Sequence, residues 1–324
     1  MRPSSSVRPV RRVTGARVSG CSWCLASWCL VPGEPAAASP PDLLLGPREG
    51  LSGAHASLAR ELELVAHRAW PPLSVTQCGG WLLRASAGSS RRGNSVWARG
   101  DVADLAAGLA AVDAFYRSAG LPPQFQMTPV SRPLGLAAAL DHAGYDDTGP
   151  TDVCTAPLSG LTHADADITP SGGAKGSGVG LRTARSPDDG WVGVAGQVLA
   201  TLGAGRAGTL AVLAALRLPA AYVTLTVDGV PVAVGRGVAD GRWLGIYSMA
   251  TLPAARGRGA ARRILAALAQ WAARRGATHA YLQVEEVSTV ARRLYAELGF
   301  RPVYRYSYRR ATAPGAAPAG EVAP

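Results

Sequence analysis

The chain has 324 residues, 48% of them hydrophobic, enough to bury a substantial core in one large or two small domains. Its formal charge of +11 would suit an anionic partner, but the excess is arginine scattered through an Ala- and Gly-rich sequence with no helix-turn-helix, zinc-finger or RNA-binding pattern, so nucleic acid is not an expected partner. No apolar run approaches the roughly 20 residues of a membrane-spanning helix, so no membrane partner is expected; the five cysteines offer no second Cys or His pair beside Cys21-x-x-Cys24, which predicts no metal and fits a reducing cytoplasm.

In chain order, residues 1–50 are rich in Arg, Ser and Pro. Basic residues, an apolar run over 21–31 and small residues at 36–38 mimic a secretory signal. Ser22, Ser27 and three cysteines interrupt that run, and the stretch reads as a disordered extension or a start codon set too early. Leu58, Leu62, Val65 and Ala66 predict a helix closed by Pro71-Pro72. Strands over 80–84 and 94–97, a helix over 102–119, a strand over 124–128, a helix over 134–143 and a strand over 151–157 complete a first half, residues 54–157. Residues 158–178 have linker composition.

The second half, 179–310, opens with a strand over 179–183 and helices over 191–202 and 210–216. Strands over 221–227 and 230–237 form a hairpin through Asp228-Gly229, a two-residue turn signal. A strand bearing Ile246, Met249 and Leu252 is stopped by Pro253. Arg256-Gly257-Arg258-Gly259-Ala260-Ala261 then enters a long amphipathic helix, with Ile264, Leu265, Leu268, Trp271 and Ala272 on one face and Gly276 as its stop. A strand over 280–284, a helix over 288–298 and a strand reaching Tyr308 follow; residues 311–324 read as a disordered tail.

The glycine-rich entrance carries chemistry. A helix N-terminus presents unpaired N–H groups and a partial positive charge, yet this one opens among Arg256, Arg258, Arg262 and Arg263. A bound phosphate or pyrophosphate resolves the conflict, and glycines let backbone amides close on it. The only lysine is Lys175, so a Walker loop is absent, and Arg262 stands where a dinucleotide fingerprint needs a small residue.

What remains, Arg256-x-x-Gly259-x-Ala261 between strand and helix, resembles the pyrophosphate signature of the GNAT superfamily of acyl-CoA-dependent N-acetyltransferases. Leu294-Tyr295-Ala296-Glu297-Leu298-Gly299-Phe300 is similar to the closing motif of that superfamily. The resemblance spans roughly residues 180–310. It implies an α/β fold with a mixed, mostly antiparallel twisted sheet flanked by helices. Acetyl-CoA is the implied co-substrate, held by Met249, Ala250 and Thr251 and by the loop from Arg256, Gly257, Arg258 and Gly259 to Ala260 and Ala261. Tyr295 is the implied proton donor to the leaving thiolate. Ser288 stands where an asparagine contacting the cofactor is often found.

The first half repeats this order. Phe115-x-x-x-x-Gly120 aligns with Trp271-x-x-x-x-Gly276, and Gly144-Tyr145 with Gly299-Phe300. It lacks the chemistry: Gly100-Asp101-Val102-Ala103 replaces the glycine loop, with Asp101 as the expected helix N-cap, and Leu140 stands where the second half has Tyr295. Two GNAT-like halves, the first degenerate, are therefore expected.

The base is less legible. An ammonium of pKa about 10.4 must lose a proton, but the strand ending at Met249 carries Tyr247 and Ser248, not an acid. Glu285 and Glu286 are the candidates, with Glu285 preferred, although either also fits an ordinary ion-paired residue. Trp81, Arg84, Arg92 and Asn94 could line an acceptor pocket between the halves, or be core and surface. The expected acceptor is a small-molecule or peptide amine and the expected assembly a monomer or homodimer. The alternative function is a CoA-binding sensor or scaffold without turnover.

Overall fold

In a computed structural model of the protein, residues 53–162, 178–203 and 205–311 are described. The expectations for residues 1–50, for most of the linker and for residues 312–324 lie outside them. The first half contains α1 (Ala54–Ala69), β1 (Ser74–Cys78), β2 (Trp81–Ala85), β3 (Val96–Ala98), α2 (Leu105–Ser118), β4 (Gln124–Met127), α3 (Leu136–His142), β5 (Tyr145–Pro157) and α4 (Ser159–Thr162). The second contains β6 (Val179–Ala184), α5 (Asp189–Val198), α6 (Ala200–Gly203), α7 (Arg206–Ala215), β7 (Ala220–Val227), β8 (Val230–Asp240), β9 (Trp243–Thr251), α8 (Ala260–Ala273), β10 (His279–Glu285), α9 (Thr289–Glu297) and β11 (Arg301–Ala311). No helix among the described residues is long and apolar enough to cross a membrane.

The eleven strands of the described residues form one sheet, in the order β1-β2-β3-β4-β11-β5-β10-β9-β8-β7-β6. It is antiparallel except at β3–β4 and β9–β10, where a helix carries the chain across between parallel neighbours. The last strands of the two halves have changed places: β11 pairs with β4, β5 pairs with β10, and the two pair with each other. The halves thus share a backbone ladder, and the second half's β10 is flanked by a strand of the first.

Helices α2, α3, α8 and α9 cover one face of the sheet and α1, α5 and α7 the other. Helix α8 shows why. Ile264, Leu265, Leu268 and Ala272 recur at helical spacing, are fully buried, and pack on Val223, Leu225, Leu244 and Ile246 of the strands beneath. Each large side chain contributes about 1.5–3 kcal/mol by burial. Gly276, at φ +84, ends the helix, and Ala277 N donates to Ala272 O at 3.2 Å, a close that a side chain would strain.

Several boundaries differ from the expectations. β1 was not anticipated: it is an edge strand whose residues Ser74 to Gln77 are exposed, so no apolar alternation marks it. β5 begins at Tyr145, six residues before the expected start at 151, because its polar first part is held by cross-strand charge instead of burial. Arg309 and Arg310 of β11 stand opposite Asp147 and Asp146, and Arg309 forms ion pairs with Asp147 and Asp141. The helix expected over 191–202 is interrupted at Leu199, which has an extended backbone. β11 continues to Ala311, the first residue of the expected tail.

Candidate active site

β9 and β10 run side by side only as far as the pair Gly245–Tyr281, after which their ladder ends while β8 continues to hold β9 up to Thr251. The strands part where β9 is bulged. Ser248 has φ +51, a conformation rare for a side-chain-bearing residue, and the register against β8 shifts between Val234 and Arg236. The bulge turns Met249 toward the α8 face, where it packs on that core, and Ala250 toward the α5 and α7 face. Gly235 permits this: a Cβ there would stand 2.6 Å from Met249 Sδ and 2.5 Å from Ile264 Cγ2. Met249, Ala250 and Thr251 therefore form the lip of the opening.

The chain leaves this lip through a 3-10 turn, Pro253–Ala255, and a loop in which Arg256 Nε donates to Thr251 O at 3.3 Å. Gly257 and Gly259 both have φ +72, and space around Gly257 is open. Gly259 is the N-cap of α8, and no side chain caps that helix. The N–H groups of Ala260, Ala261 and Arg262, with exposed Arg256 and Arg258 beside them, make a cradle suited to a phosphate-bearing group. The arginine crowding expected there is partly relieved within the chain, since Arg262 pairs with Glu297, which also accepts from Arg293 Nε at 3.3 Å.

Tyr295 lies on α9, half-buried against the α8 core, with its ring edge-on to Phe300 at 5.8 Å. Burial first, and the neighbouring Cys154 thiol second, push its pKa up to about 12. Cys154 comes from β5 of the first half and is itself pushed up to about 12 by burial and by Asp152. Asp152 accepts from Arg292 Nη2 of α9 at 3.0 Å and Arg305 Nε of β11 at 2.8 Å, so the exchanged strand fixes the helix that carries Tyr295. Ser288 is buried at the N-cap of α9, its carbonyl accepting from Arg292 N at 2.9 Å, and its side chain caps nothing.

Glu285 faces the other way. Along β10, Ala280, Leu282 and Val284 join the α8 core, while Tyr281 packs under α1 and Gln283 accepts from the Tyr306 hydroxyl at 2.9 Å. Glu285, on that second face, is ion-paired with Arg91 of the first half. Glu286 is exposed and accepts from Arg305 Nη1 at 2.8 Å. Tyr295 and Glu285 therefore sit on opposite faces of the sheet, either side of the gap between β9 and β10.

The expected acceptor residues resolve differently. Trp81 is fully buried in the first half's own core, and its Nε1 donates to Arg132 O at 2.8 Å. Asn94 ties its own loop, accepting from Ser86 N and Gly88 N. Arg84 and Arg92 are not at the surface but deep in the seam between the halves. Glu63 of α1, with no exposure, accepts from Arg92 Nη1 at 2.9 Å, Gln126 Nε2 at 3.0 Å and the Tyr304 hydroxyl at 2.8 Å. Burial raises the pKa of Glu63, but the Arg92 charge and these bonds outweigh it and hold the group below the usual carboxylate range. Arg84 donates to Ser95 O, Ser95 Oγ and Gln126 Oε1, each at 2.9 Å.

Sequence reasoning missed Glu63 and, on β8, Arg236, which has no exposure. One signal was available: Glu63 lies four residues after Ala59 and three before Ala66, inside the apolar stripe of α1.

The family model described as "Probable histone acetyltransferase Rv0428c C-terminal" matches residues 56–309. The Bacillus subtilis protein named "Uncharacterized N-acetyltransferase YobR" is 27% identical over 255 residues, covering 77% of this chain and 97% of its own. The Mycobacterium tuberculosis "Probable histone acetyltransferase Rv0428c" is 28% identical over 270 residues, covering 79% and 75%. Among solved structures, a GCN5-related N-acetyltransferase from Kribbella flavida superposes with TM-score 0.56 at 17% identity, covering 81% of this chain and 97% of that one. A tandem GNAT protein from the clavulanic acid biosynthesis pathway gives 0.53 at 15%, covering 79% and 92%. With a model matching most of the chain and a fold shared with a tandem GNAT, this chain belongs to the family of the Rv0428c C-terminal region, within the GNAT acetyltransferases.

Proposed function

We propose that the second half transfers an acetyl group from acetyl-CoA to a primary amine by direct attack in a ternary complex. The observation that carries this reading is the continuity of two features: a gap between β9 and β10 at a bulged lip, and, a few residues on, a helix N-terminus without a side-chain cap. A thioester threaded through the gap has its pyrophosphate within reach of the Gly257–Gly259 loop and Ala260 and Ala261. In this reading, backbone groups of Met249, Ala250 and Thr251 polarise its carbonyl.

The amine nitrogen attacks the carbonyl carbon, the C–S bond breaks, and the thiolate leaves toward Tyr295. With the phenol at about 12 and a thiol near 8.5, complete proton transfer runs uphill by about 5 kcal/mol. Tyr295 therefore acts by donating a hydrogen bond to the developing charge. Glu285, on the acceptor side, takes the ammonium proton through water; Arg91 orients its carboxylate and competes with that transfer.

The second reading, a CoA-binding sensor or scaffold without turnover, is favoured by the engagement of Glu285 with Arg91 and by the absence of an acid at Tyr247 and Ser248. Mass spectrometry of a panel of amines incubated with acetyl-CoA separates the two. Acetylated amine is expected; CoA binding without any acetylated product would leave the sensor reading.

A further inference from the structure

The buried arginines of the seam differ in how their guanidinium edges are occupied. Arg92 meets Glu63 and Arg84 meets Ser95 and Gln126. Arg236, opposite Tyr247 at the β9 bulge and with no exposure, donates from Nη1 to Ala69 O at the end of α1 at 3.4 Å and lies against the Tyr222 hydroxyl; Nε and Nη2 meet no carboxylate and make no well-formed hydrogen bond. Those two nitrogens lie side by side on one edge of the planar guanidinium, the edge that meets both oxygens of a carboxylate.

The surroundings hold the charge without neutralising it. Trp70 and Tyr247 present ring faces 4.8 Å and 4.6 Å from the guanidinium carbon, the Tyr222 hydroxyl offers it a neutral oxygen, and the Tyr281 phenol stands nearby; none of these is an anion. Burial lowers the pKa of Arg236, the sign of a cation that its neighbours do not fully compensate. Buried arginines with half-empty forks are costly, because an unpaired charge in the interior loses its hydration. Trp70 Nε1, in the ring stacked on this guanidinium, is a further buried donor without a protein partner. The set therefore has donors to spare and lacks an anion. It lies under the residues that immediately precede the Met249–Thr251 lip, on the same sheet face as Glu285.

We propose that Arg236 is the clamp for a carboxylate carried by the acceptor, so that the amine substrate is an amino acid or a similar amino carboxylate whose two oxygens meet Nε and Nη2. This deepens the acetyl-transfer reading and rests on it for the identity of the reacting amine. The fork has no exposure, so the acceptor reaches it by displacing part of its cover, of which Trp70 at the end of α1 is the nearest aromatic element on that side. The carboxylate replaces an unpaired buried cation by a bidentate ion pair. A cationic polyamine or an amide lacks the group that would do this, and the site's excess positive charge disfavours the former.

The test uses amine pairs that differ only in a carboxylate against its carboxamide, such as β-alanine and β-alaninamide, with a set of α- and ω-amino acids treated alike. At saturating acetyl-CoA, carboxylate members should exceed their amides by about 10–100-fold in kcat/KM, the range of a charge-assisted pair. Arg236→Met should erase the preference while calorimetric affinity for CoA stays within about twofold. Arg236→Lys, which keeps the charge and loses the fork, should retain only part of it. Equal rates for acid and amide, or an unchanged preference in Arg236→Met, would overturn the clamp and leave ordered water as the partner of this edge. A second arm does not need turnover: millimolar N-acetyl-β-alanine, or the matching N-acetyl amino acid, should raise the Tm of the intact chain where its amide does not. No shift with any acid overturns the clamp. A shift that is lost in Arg236→Met without acetylation of any amine upholds the clamp and sinks the transferase reading instead.

Discussion

After β3, the carbonyl of Ala98 accepts from Arg132 N at 2.8 Å, the loop beyond β4 closes over the strand end, and Gly100 is pressed so tightly against Gly80 that a Cβ on Gly80 would stand 2.3 Å from Gly100 C. After β9, the corresponding segment parts from β10, and Gly257 faces open space. Both places follow a parallel strand pair and lead into a helix, so the difference lies in side chains and loop length, not in topology. Helix α2 is capped internally by Asp104, whose carboxylate accepts from Ala107 N at 3.1 Å; the expectation that Asp101 would serve is corrected, because the helix starts three residues later. Helix α8 has no such cap. At the end of β3 the loop carrying Arg132 takes the place that stays open after β9, and at the seam Glu63 and Arg91 of the first half meet Tyr304 and Glu285 on the second half's strands.

That comparison can be broken most severely at the seam. Glu63→Ala leaves Arg92 buried without its carboxylate and should destabilise the chain by about 3–5 kcal/mol, read as a fall in the denaturant midpoint of both halves together. Separate transitions for the halves would show that the shared sheet does not couple them. Next in size, Gly259→Asp places a negative side chain and a strained φ at the cradle and should weaken CoA binding by about 100-fold or more, whereas Asp101→Gly in the first half should create no new site. Tyr295→Phe keeps the ring against Phe300 and removes the hydroxyl: kcat should fall by roughly 10–100-fold, with thermal stability and CoA affinity little changed. A lower Tm with kcat intact would assign the hydroxyl a structural role.

The smallest effect concerns acid. His67 on α1, half-buried beside Trp97, is pushed from its usual 6.5 down to about 4 by burial and by Arg84, Arg92 and Arg99. A histidine held neutral in the fold protonates first in the unfolded chain, so stability should decline as pH falls from about 6.5 to about 4 and then level. His67→Phe should flatten that stretch of the stability curve. Glu63, depressed below the usual carboxylate range, adds a further loss that begins as its carboxylate protonates in the unfolded chain, near 4.5, and ends only when the folded group takes up its proton at lower pH.

What could be read from the amino acids was what is local. The apolar stripe of α8, its glycine stop, the Asp228-Gly229 hairpin and the loop before Ala260 are each written within about fifteen residues, and the GNAT resemblance rests on them. The exchange of β5 and β11 was not legible, because either strand has the same pattern whichever neighbour it joins. Nor were the roles of Arg84, Arg92 and Arg236, since an arginine in a strand or turn looks like a surface residue until a distant helix brings Glu63, or leaves it unmatched. Glu285 illustrates the limit: its position on the strand was readable, but its partner Arg91 lies in the other half.

The account stands on the claim that one half keeps an open cofactor site and the other has closed its own. Calorimetric titration of the full chain with CoA tests this directly. We expect one site per chain, abolished by Gly259→Asp; two sites per chain, or one that survives Gly259→Asp unchanged, would contradict it.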